Sequence, residues 1–442
     1  MSSPSPDDSL EQWLSWLEQL HPTEIDMGLQ RVGSVADDLG LRPAVMPIIL
    51  VGGTNGKGST VALLAEIYKH AGLRVGAYTS PHIDTFNERM CVDSQMLDDH
   101  VIVEALHTVE QARKTQTLTY FEYTTLGAMV AFARLRCDVV IMEVGLGGRL
   151  DATNLWDCDC AIITSIALDH QDYLGDTIEE IAAEKVAIGR AGVPLIVGEL
   201  YPPTNLIDIA RENKMRLVLI GGANLPEPNL AGAHQQRNAA CALEAIDALQ
   251  AKLSVSKDAI KAGLKSVSVA GRFERLTVDG QLVVLDVAHN PAAAETLSDT
   301  LLRYYPNHHV YAVFSALKDK DLVGIVTALA PAVSSWYCAE LSVSRATPLS
   351  DLTQHVKQIQ SAPVEGFESV VSAWTAARHA AANDTEKPTV ILVAGSFYTL
   401  MDMRKIVSAN TPVDTLAGTS ADKSADKSAP TSADTPTVDR EQ

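Results

Sequence analysis

The chain has 442 residues, enough for two or three domains at roughly 100–200 residues each. Its 35 basic and 55 acidic side chains leave a formal charge of −20, a poor footprint for generic nucleic-acid binding but compatible with a local basic pocket for a small anion. No apolar run approaches the roughly 20 residues of a membrane helix, residues 1–10 show no basic and apolar leader pattern, and six cysteines form no disulfide framework, so a cytoplasmic protein without membrane or nucleic-acid partners is expected.

Apolar β-branched runs alternate with helical patterns through most of the chain. The first predicted strand, 47–52, runs into Val51-Gly52-Gly53-Thr54-Asn55-Gly56-Lys57-Gly58-Ser59-Thr60, which opens a helix over 57–71 with Val61, Leu64, Ala65 and Tyr68 on one face. Strand, glycine-rich loop, lysine and helix together are the setting of a nucleotide phosphate loop. Glycines let backbone N–H groups face phosphate, and the helix N-terminus adds a positive dipole end. Lys57 would reach the outer phosphates, and Ser59 or Thr60 could face a metal. The match to the general P-loop is imperfect, because Gly58 stands where Ser or Thr normally follows the lysine.

Further strands are expected at 74–79, 138–143 and 160–165. The strand at 138–143 ends in Glu143 and leads into a glycine-rich loop, while Asp169 and His170 follow the strand at 160–165. Ligands of open parallel sheets bind beyond the carboxyl ends of strands, so the phosphate loop, Glu143 and His170 should converge on one edge and suggest a divalent-cation site. Cys158 and Cys160 form a lone C-x-C without a second pair at zinc spacing, which favours reduced structural cysteines. Thr177 to Glu180 reads as a capping box for a helix through 189. On that helix Lys185 is the odd polar residue, and alone it reads as a lysine that snorkels or pairs with Glu184.

Strands at 193–198 and 216–220, a Gly/Asn/Pro-rich break at 221–229 and a helix at 233–251 complete the first series. A second begins near Gly271, with strands at 281–286, 309–314, 334–338 and 389–394. Asp286 and His289 fall at a strand's carboxyl end, Asn290 and Pro291 read as N-cap and N1 of a helix, and Arg272 sits at the junction as either a cleft or a surface arginine. The expected fold class is α/β: a P-loop ATPase domain with a mostly parallel sheet over 1–270, and a smaller Rossmann-like α/β domain over 271–408. Residues 409–442 repeat Ser-Ala-Asp-Lys with almost no large apolar side chain, and are expected to be disordered.

These segments resemble the folylpolyglutamate synthase/dihydrofolate synthase branch of the Mur ligase superfamily. The resemblance rests on the phosphate loop, Thr79-Ser80-Pro81-His82, Phe121-Glu122-Tyr123-Thr124-Thr125, Glu143 to Asn154, Leu168-Asp169-His170, Glu184-Lys185, His234-Gln235-Gln236-Arg237-Asn238, Gly271-Arg272-Phe273-Glu274 and Asp286 to Pro291. It implies a ligase in which ATP phosphorylates a substrate carboxylate and the amine of L-glutamate attacks the acyl phosphate. By motif, Thr54, Asn55, Gly56, Lys57 and Gly58 hold phosphates. Asn238 lies at the adenine, Arg272 at phosphate and Asp286 at the ribose, with His289 in the same nucleotide motif. Ser80, Glu143 and His170 resemble magnesium ligands, two ions being expected, and Lys185 resembles a lysine carboxylated by carbon dioxide.

The acceptor side is implied in the same way. Residues 26–32, with Gly28, Leu29, Gln30 and Arg31, resemble a loop that covers a pterin. Thr119, Tyr120, Phe121, Glu122, Leu150, Asp151 and Ala152 resemble dihydropteroate contacts, although Phe121 by itself reads as helix core. Asp319-Lys320-Asp321 and Ser396-Phe397-Tyr398 resemble the glutamate pocket. The implied partners are ATP, L-glutamate, dihydropteroate and folates, and the implied state is a monomer. Three competitors remain: a folylpolyglutamate synthase with one activity, another Mur-type ligase, and a non-catalytic nucleotide-binding scaffold.

Overall fold

The continuous apolar runs become the interior strands of two sheets in the computed structural model, which describes residues 3–410. The first sheet holds β1 (Ile48–Gly52), β2 (Val75–Tyr78), β3 (Met90–Val92), β4 (Gln95–Met96), β5 (Val139–Glu143), β6 (Cys160–Ile163), β7 (Pro194–Val197) and β8 (Arg216–Leu219). Their order is β4-β3-β2-β5-β1-β6-β7-β8, parallel except for the hairpin strands β3 and β4. The second sheet holds β9 (Glu274–Val278), β10 (Gln281–Leu285), β11 (His309–Phe314), β12 (Ser335–Ala339), β13 (Val364–Phe367) and β14 (Thr389–Ala394). Its order is β13-β12-β11-β14-β10-β9, and β9 runs antiparallel at one edge.

Helices cover both faces of each parallel sheet, which is why strands such as β1 and β5 are buried at every position and read as unbroken apolar runs. Four strands were not expected: β3, β4, β9 and β13. They are short, hairpin or edge strands; both residues of β4 are exposed, and β9 alternates exposure along its length. In the N-terminal region one helix was not expected, and the expected loop over 26–32 is helical from Gln30 onward. Helix Leu10–Leu17 buries Trp13, Trp16 and Leu17, and Gln30, Arg31 and Val32 already belong to helix Gln30–Asp38. The expected tail lies outside the described residues, apart from its first two, which close helix Phe397–Asn410.

Helix Lys57–His70 is wrapped more fully than one apolar face requires. Leu63 and Ile67 are buried along with Val61, Leu64, Ala65 and Tyr68, because helices Ala233–Leu249 and Lys257–Ser266 cover its far side. The crossing is close at Gly263, where a Cβ would stand 2.6 Å from Ile67 Cα. The two sheets also share packing. Ile83, carried on the loop after β2, is buried in the second sheet's core against Val287, Leu400 and Gly271. Replacing Gly263 by Val should force the two helices apart and cost about 1–3 kcal/mol by overpacking, measurable as a lower midpoint in urea unfolding.

Candidate active site between the two sheets

β1 lies between β5 and β6, so the segments leaving these three strands meet at one sheet edge. The phosphate loop leaves β1 and is stapled to the segment leaving β6. Thr54 N–H donates to Ser165 O at 2.8 Å, Asn55 N–H to Ser165 Oγ at 2.9 Å, and Thr164 Oγ1 to Asn55 O at 2.7 Å. Gly53 and Gly56 both have positive φ, and each is crowded: a Cβ on Gly53 would stand 2.0 Å from Thr164 Oγ1, and one on Gly56 2.5 Å from Asn238 Oδ1. Gly58 brings the start of the helix toward Glu143, whose Oε2 would lie 3.5 Å from a Cβ there. Ser59 lines the cleft and accepts from Gln235 Nε2, whereas Thr60 turns its hydroxyl to Gly56 O and does not line it.

Three ionisable groups stand at the floor. Lys57 Nζ donates to the carbonyls of Gly53 and Thr54, and Lys185 Nζ donates to the same Gly53 carbonyl at 3.2 Å. Lys185 therefore neither snorkels nor pairs with Glu184, which binds Arg149 instead. Burial, reinforced by the charge on Lys57, pushes the Lys185 amine from 10.5 down to about 7. Burial likewise lowers Lys57, against the pull of Glu143 and Asp169. Glu143, at the end of β5, is raised by burial and steadied by Lys57 and by the Ser80 N–H, which donates to it at 3.2 Å.

Ser80, Glu143 and His170 all line the cleft. His170 takes a left-handed backbone at the start of a one-turn helix, and burial pushes its imidazole down to about 4, leaving it neutral near pH 7. Among the described residues no cluster of three or more His, Cys, Asp or Glu is arranged for a metal. Hydroxyl, buried carboxylate and neutral imidazole nevertheless form a donor set that fits a divalent cation beside phosphate.

The second sheet supplies the opposite wall of a cleft of about 680 Å³, a size suited to small-molecule substrates. Arg272 lies over the Phe397 ring at 5.5 Å and faces Asp286 and Glu143, so it belongs to the cleft rather than the open surface. Asp286 accepts the N–H groups of Phe273 and Ala288, fixing the backbone on either side of the crossing. His289 Nδ1 meets Val287 O, and its Nε2 stands 3.5 Å from Asp169. Asn238 donates to Gln235 Oε1 on its own helix, and Gln235 in turn donates to Ser59 Oγ beside the phosphate loop.

The expected pterin residues gather elsewhere. None of Gly28, Leu29, Gln30, Arg31, Thr119, Tyr120, Phe121, Glu122, Leu150, Asp151 and Ala152 lines the cleft. Thr119 and Glu122 form the capping box of helix Tyr120–Arg134, a T-x-x-E signal that was readable in the sequence. Arg31 clamps the N-terminal loop, donating to Asp26 Oδ2 at 2.6 Å and to the buried Glu122 at 3.0 Å. Phe121 packs against Gly145 of the cleft wall, where a Cβ would stand 2.6 Å from its ring, and against Tyr78. Asp151 accepts from Leu146 N–H and from the N–H and hydroxyl of Thr153, shaping the glycine-rich loop from within. Tyr120 lies under the Arg89 guanidinium at 5.5 Å.

Glu24, His82, Arg89, Asp169, Gln235, Lys320 and Arg345 also line the cleft, yet the sequence assigned them no part in its nucleotide or metal site. Arg89 donates to His82 Nδ1, and burial with that guanidinium pushes His82 down to about 4.

The Mur ligase middle domain matches residues 51–221, and the Mur ligase glutamate ligase domain matches residues 271–397. A relative from Escherichia coli named dihydrofolate synthase/folylpolyglutamate synthase is 41% identical over 421 residues, spanning 90% of this chain and 96% of its own. The structure of E. coli FolC in complex with DHPP and ADP superposes with a TM-score of 0.85 at 39% identity, covering 92% of this chain and 99% of that one. A bifunctional folylpolyglutamate synthase/dihydrofolate synthase from Yersinia pestis, complexed with AMPPNP and Mn ion, gives 0.83 at 38% identity, with 92% and 100% covered.

The buried Thr164 hydroxyl joins β6 to the phosphate loop through the Gly52 and Asn55 carbonyls. Thr164→Val keeps the shape and removes one hydrogen bond from each carbonyl, while the Thr164 N–H still reaches Gly52 O and Ser165 Oγ still reaches Asn55 O. It should cost about 0.5–1.5 kcal/mol in urea unfolding and weaken binding of a non-hydrolysable ATP analogue in calorimetry.

Proposed function

The chain belongs to the dihydrofolate synthase/folylpolyglutamate synthase family of Mur ligases, and from that premise we propose how its own residues divide the work. It is an ATP-dependent ligase that joins L-glutamate to 7,8-dihydropteroate and to reduced folates. The observation that carries the assignment of residues is the meeting of Lys57, Glu143 and Lys185 at one strand edge, with Arg272 facing them from the second sheet.

ATP phosphorylates the acceptor carboxylate, the amine of glutamate attacks the acyl phosphate, and phosphate leaves with amide formation. Thr54 to Gly58 present backbone N–H groups to the ATP phosphates. Lys57 exchanges the Gly53 and Thr54 carbonyls for the outer phosphates. Ser80, Glu143 and His170 would hold the magnesium, two ions being expected, and its positive charge would offset the repulsion between phosphate and carboxylate. Arg272 adds a fixed cation from the other wall, where the desolvated cleft makes each charge count for more than in water. Asn238 faces the adenine, Asp286 the ribose, and His289 stands beside the phosphates. Closure of the second domain over the first excludes water that would hydrolyse an acyl phosphate. The domains are 1–270 and 271–408, a division supported by the start of the matched glutamate ligase region at 271 and of β9 at Glu274.

The pterin of the acceptor lies on the far side of Gly145, bounded by Phe121, Asp151 and the loop that Arg31 clamps. The enzyme works as a monomer in the cytoplasm. No helix among the described residues is long and apolar enough to cross a membrane, and its cysteines are free thiols, as in a reducing compartment.

The deciding experiment is phosphate release from ATP with magnesium and L-glutamate, using 7,8-dihydropteroate and tetrahydrofolate in turn as acceptor. Turnover with both is expected, whereas turnover with tetrahydrofolate alone would make the chain a one-activity synthase. Lys185 is carboxylated in the working enzyme. Carbamate formation requires the neutral amine, and this amine, lowered to about 7, is mainly neutral above that pH and protonated below it. With isotopically labelled bicarbonate, a carbamate carbonyl resonance should grow as pH rises through 7 and be missing from Lys185→Ala. A signal that persists in the variant, or none at any pH, refutes the modification.

A further inference from the structure

Asp169, next to His170 on the first domain, collects three groups from the second domain on one carboxylate. Lys320 Nζ donates to Oδ1 at 2.6 Å, and the two side chains are only 7% and 8% exposed. Asn290 Nδ2 donates to Oδ2 at 3.2 Å, and His289 Nε2 stands 3.5 Å from the same oxygen. The seam continues into the phosphate loop. Asn55 and Asn290 exchange two amide hydrogen bonds, at 3.1 and 2.9 Å, and Asn290 Oδ1 also caps helix Pro291–Tyr304 through Ala293 N–H.

We propose that Asp169 and Lys320 are positioning residues, an ion-pair latch that holds the phosphate loop in register with the second domain so that Arg272 and His289 meet the nucleotide. This rests on the ligase reading above. A buried ion pair adds little net stability, since both ions regain hydration when the surfaces part, but its geometry is exacting once formed. Such a pair can set the closed position without locking it. The amide exchange sharpens the register, because each amide both donates to and accepts from the other. Lys320 lines the cleft as the resemblance to a glutamate pocket implies, and its ammonium also binds Asp169. That ammonium lies 3.5 Å from His170 Nε2 and is nearly sealed from solvent.

The test is a double-mutant cycle in the full chain with Asp169→Asn, Lys320→Met and the pair combined. Each single change should lower kcat by about 10- to 100-fold, the scale of a misplaced catalytic geometry, while the glutamate KM stays nearly constant. The double variant should be no slower than the slower single one, since both break the same link. Small-angle scattering without substrates should show a larger radius of gyration for all three variants than for the unaltered chain. Effects that multiply, or an unchanged radius, would overturn the latch. A raised glutamate KM with kcat retained in Lys320→Met would overturn it by making that lysine a substrate contact. If Asp169→Asn fails to fold, the Lys320→Met and Lys320→Gln pair carries the same kinetic split and scattering readout. Scattering is independent of turnover, so failure of the ligase reading would show as an inactive unaltered chain and leave the latch result standing.

Discussion

The site depends on one topological constraint: β1 lies between β5 and β6, all three parallel. Their register places Val51 beside Glu143 and Gly52 beside Ile163, so the three outgoing segments leave the sheet at the same height. From there short hydrogen bonds suffice. Thr164 and Ser165 hold the phosphate loop open, Glu143 rises beside it, and Asp169 and His170 come over the top. Because the anchors are strand ends rather than flexible loops, the charged groups are placed before any ligand arrives, which is what electrostatic catalysis requires.

That placement has an electrostatic cost that the fold spreads over several groups. Two amines share the Gly53 carbonyl, and they cannot comfortably both be charged in a buried setting. Burial lowers both amines: Glu143 and Asp169 pull Lys57 back toward the cation, while Lys185, with the charge of Lys57 beside it, is lowered to about 7.

Sequence reading was strongest where one physical cause dominates. Strands buried on both faces announce themselves as apolar runs, and the groups that end them had to assemble at one edge once the sheet was parallel. It was weakest where short-range pattern and final contact are unrelated. β9 and β13 are half-exposed edge strands, and β3 and β4 form a small hairpin with little continuous apolar surface. Arg31 and Glu122, both resembling pterin contacts, also meet each other across 91 positions of chain, a pairing that no local pattern announces. Lys320 and Asp169 lie 151 apart, and their pairing follows only from docking two finished sheets. Helix caps at Thr177, Asn290 and Thr119 are local and legible in the sequence.

Ile83 gives the two-sheet arrangement a less obvious property. It comes from the first sheet's connection but completes the apolar interior of the second, under Gly271 and against Leu400. The second sheet is therefore not a self-sufficient module. Cut free near the junction, it would carry an unfilled hydrophobic notch facing water, and a foreign first domain would need a side chain of matching bulk at that point. Recombination between relatives is then constrained by a single aliphatic plug as well as by the catalytic groups.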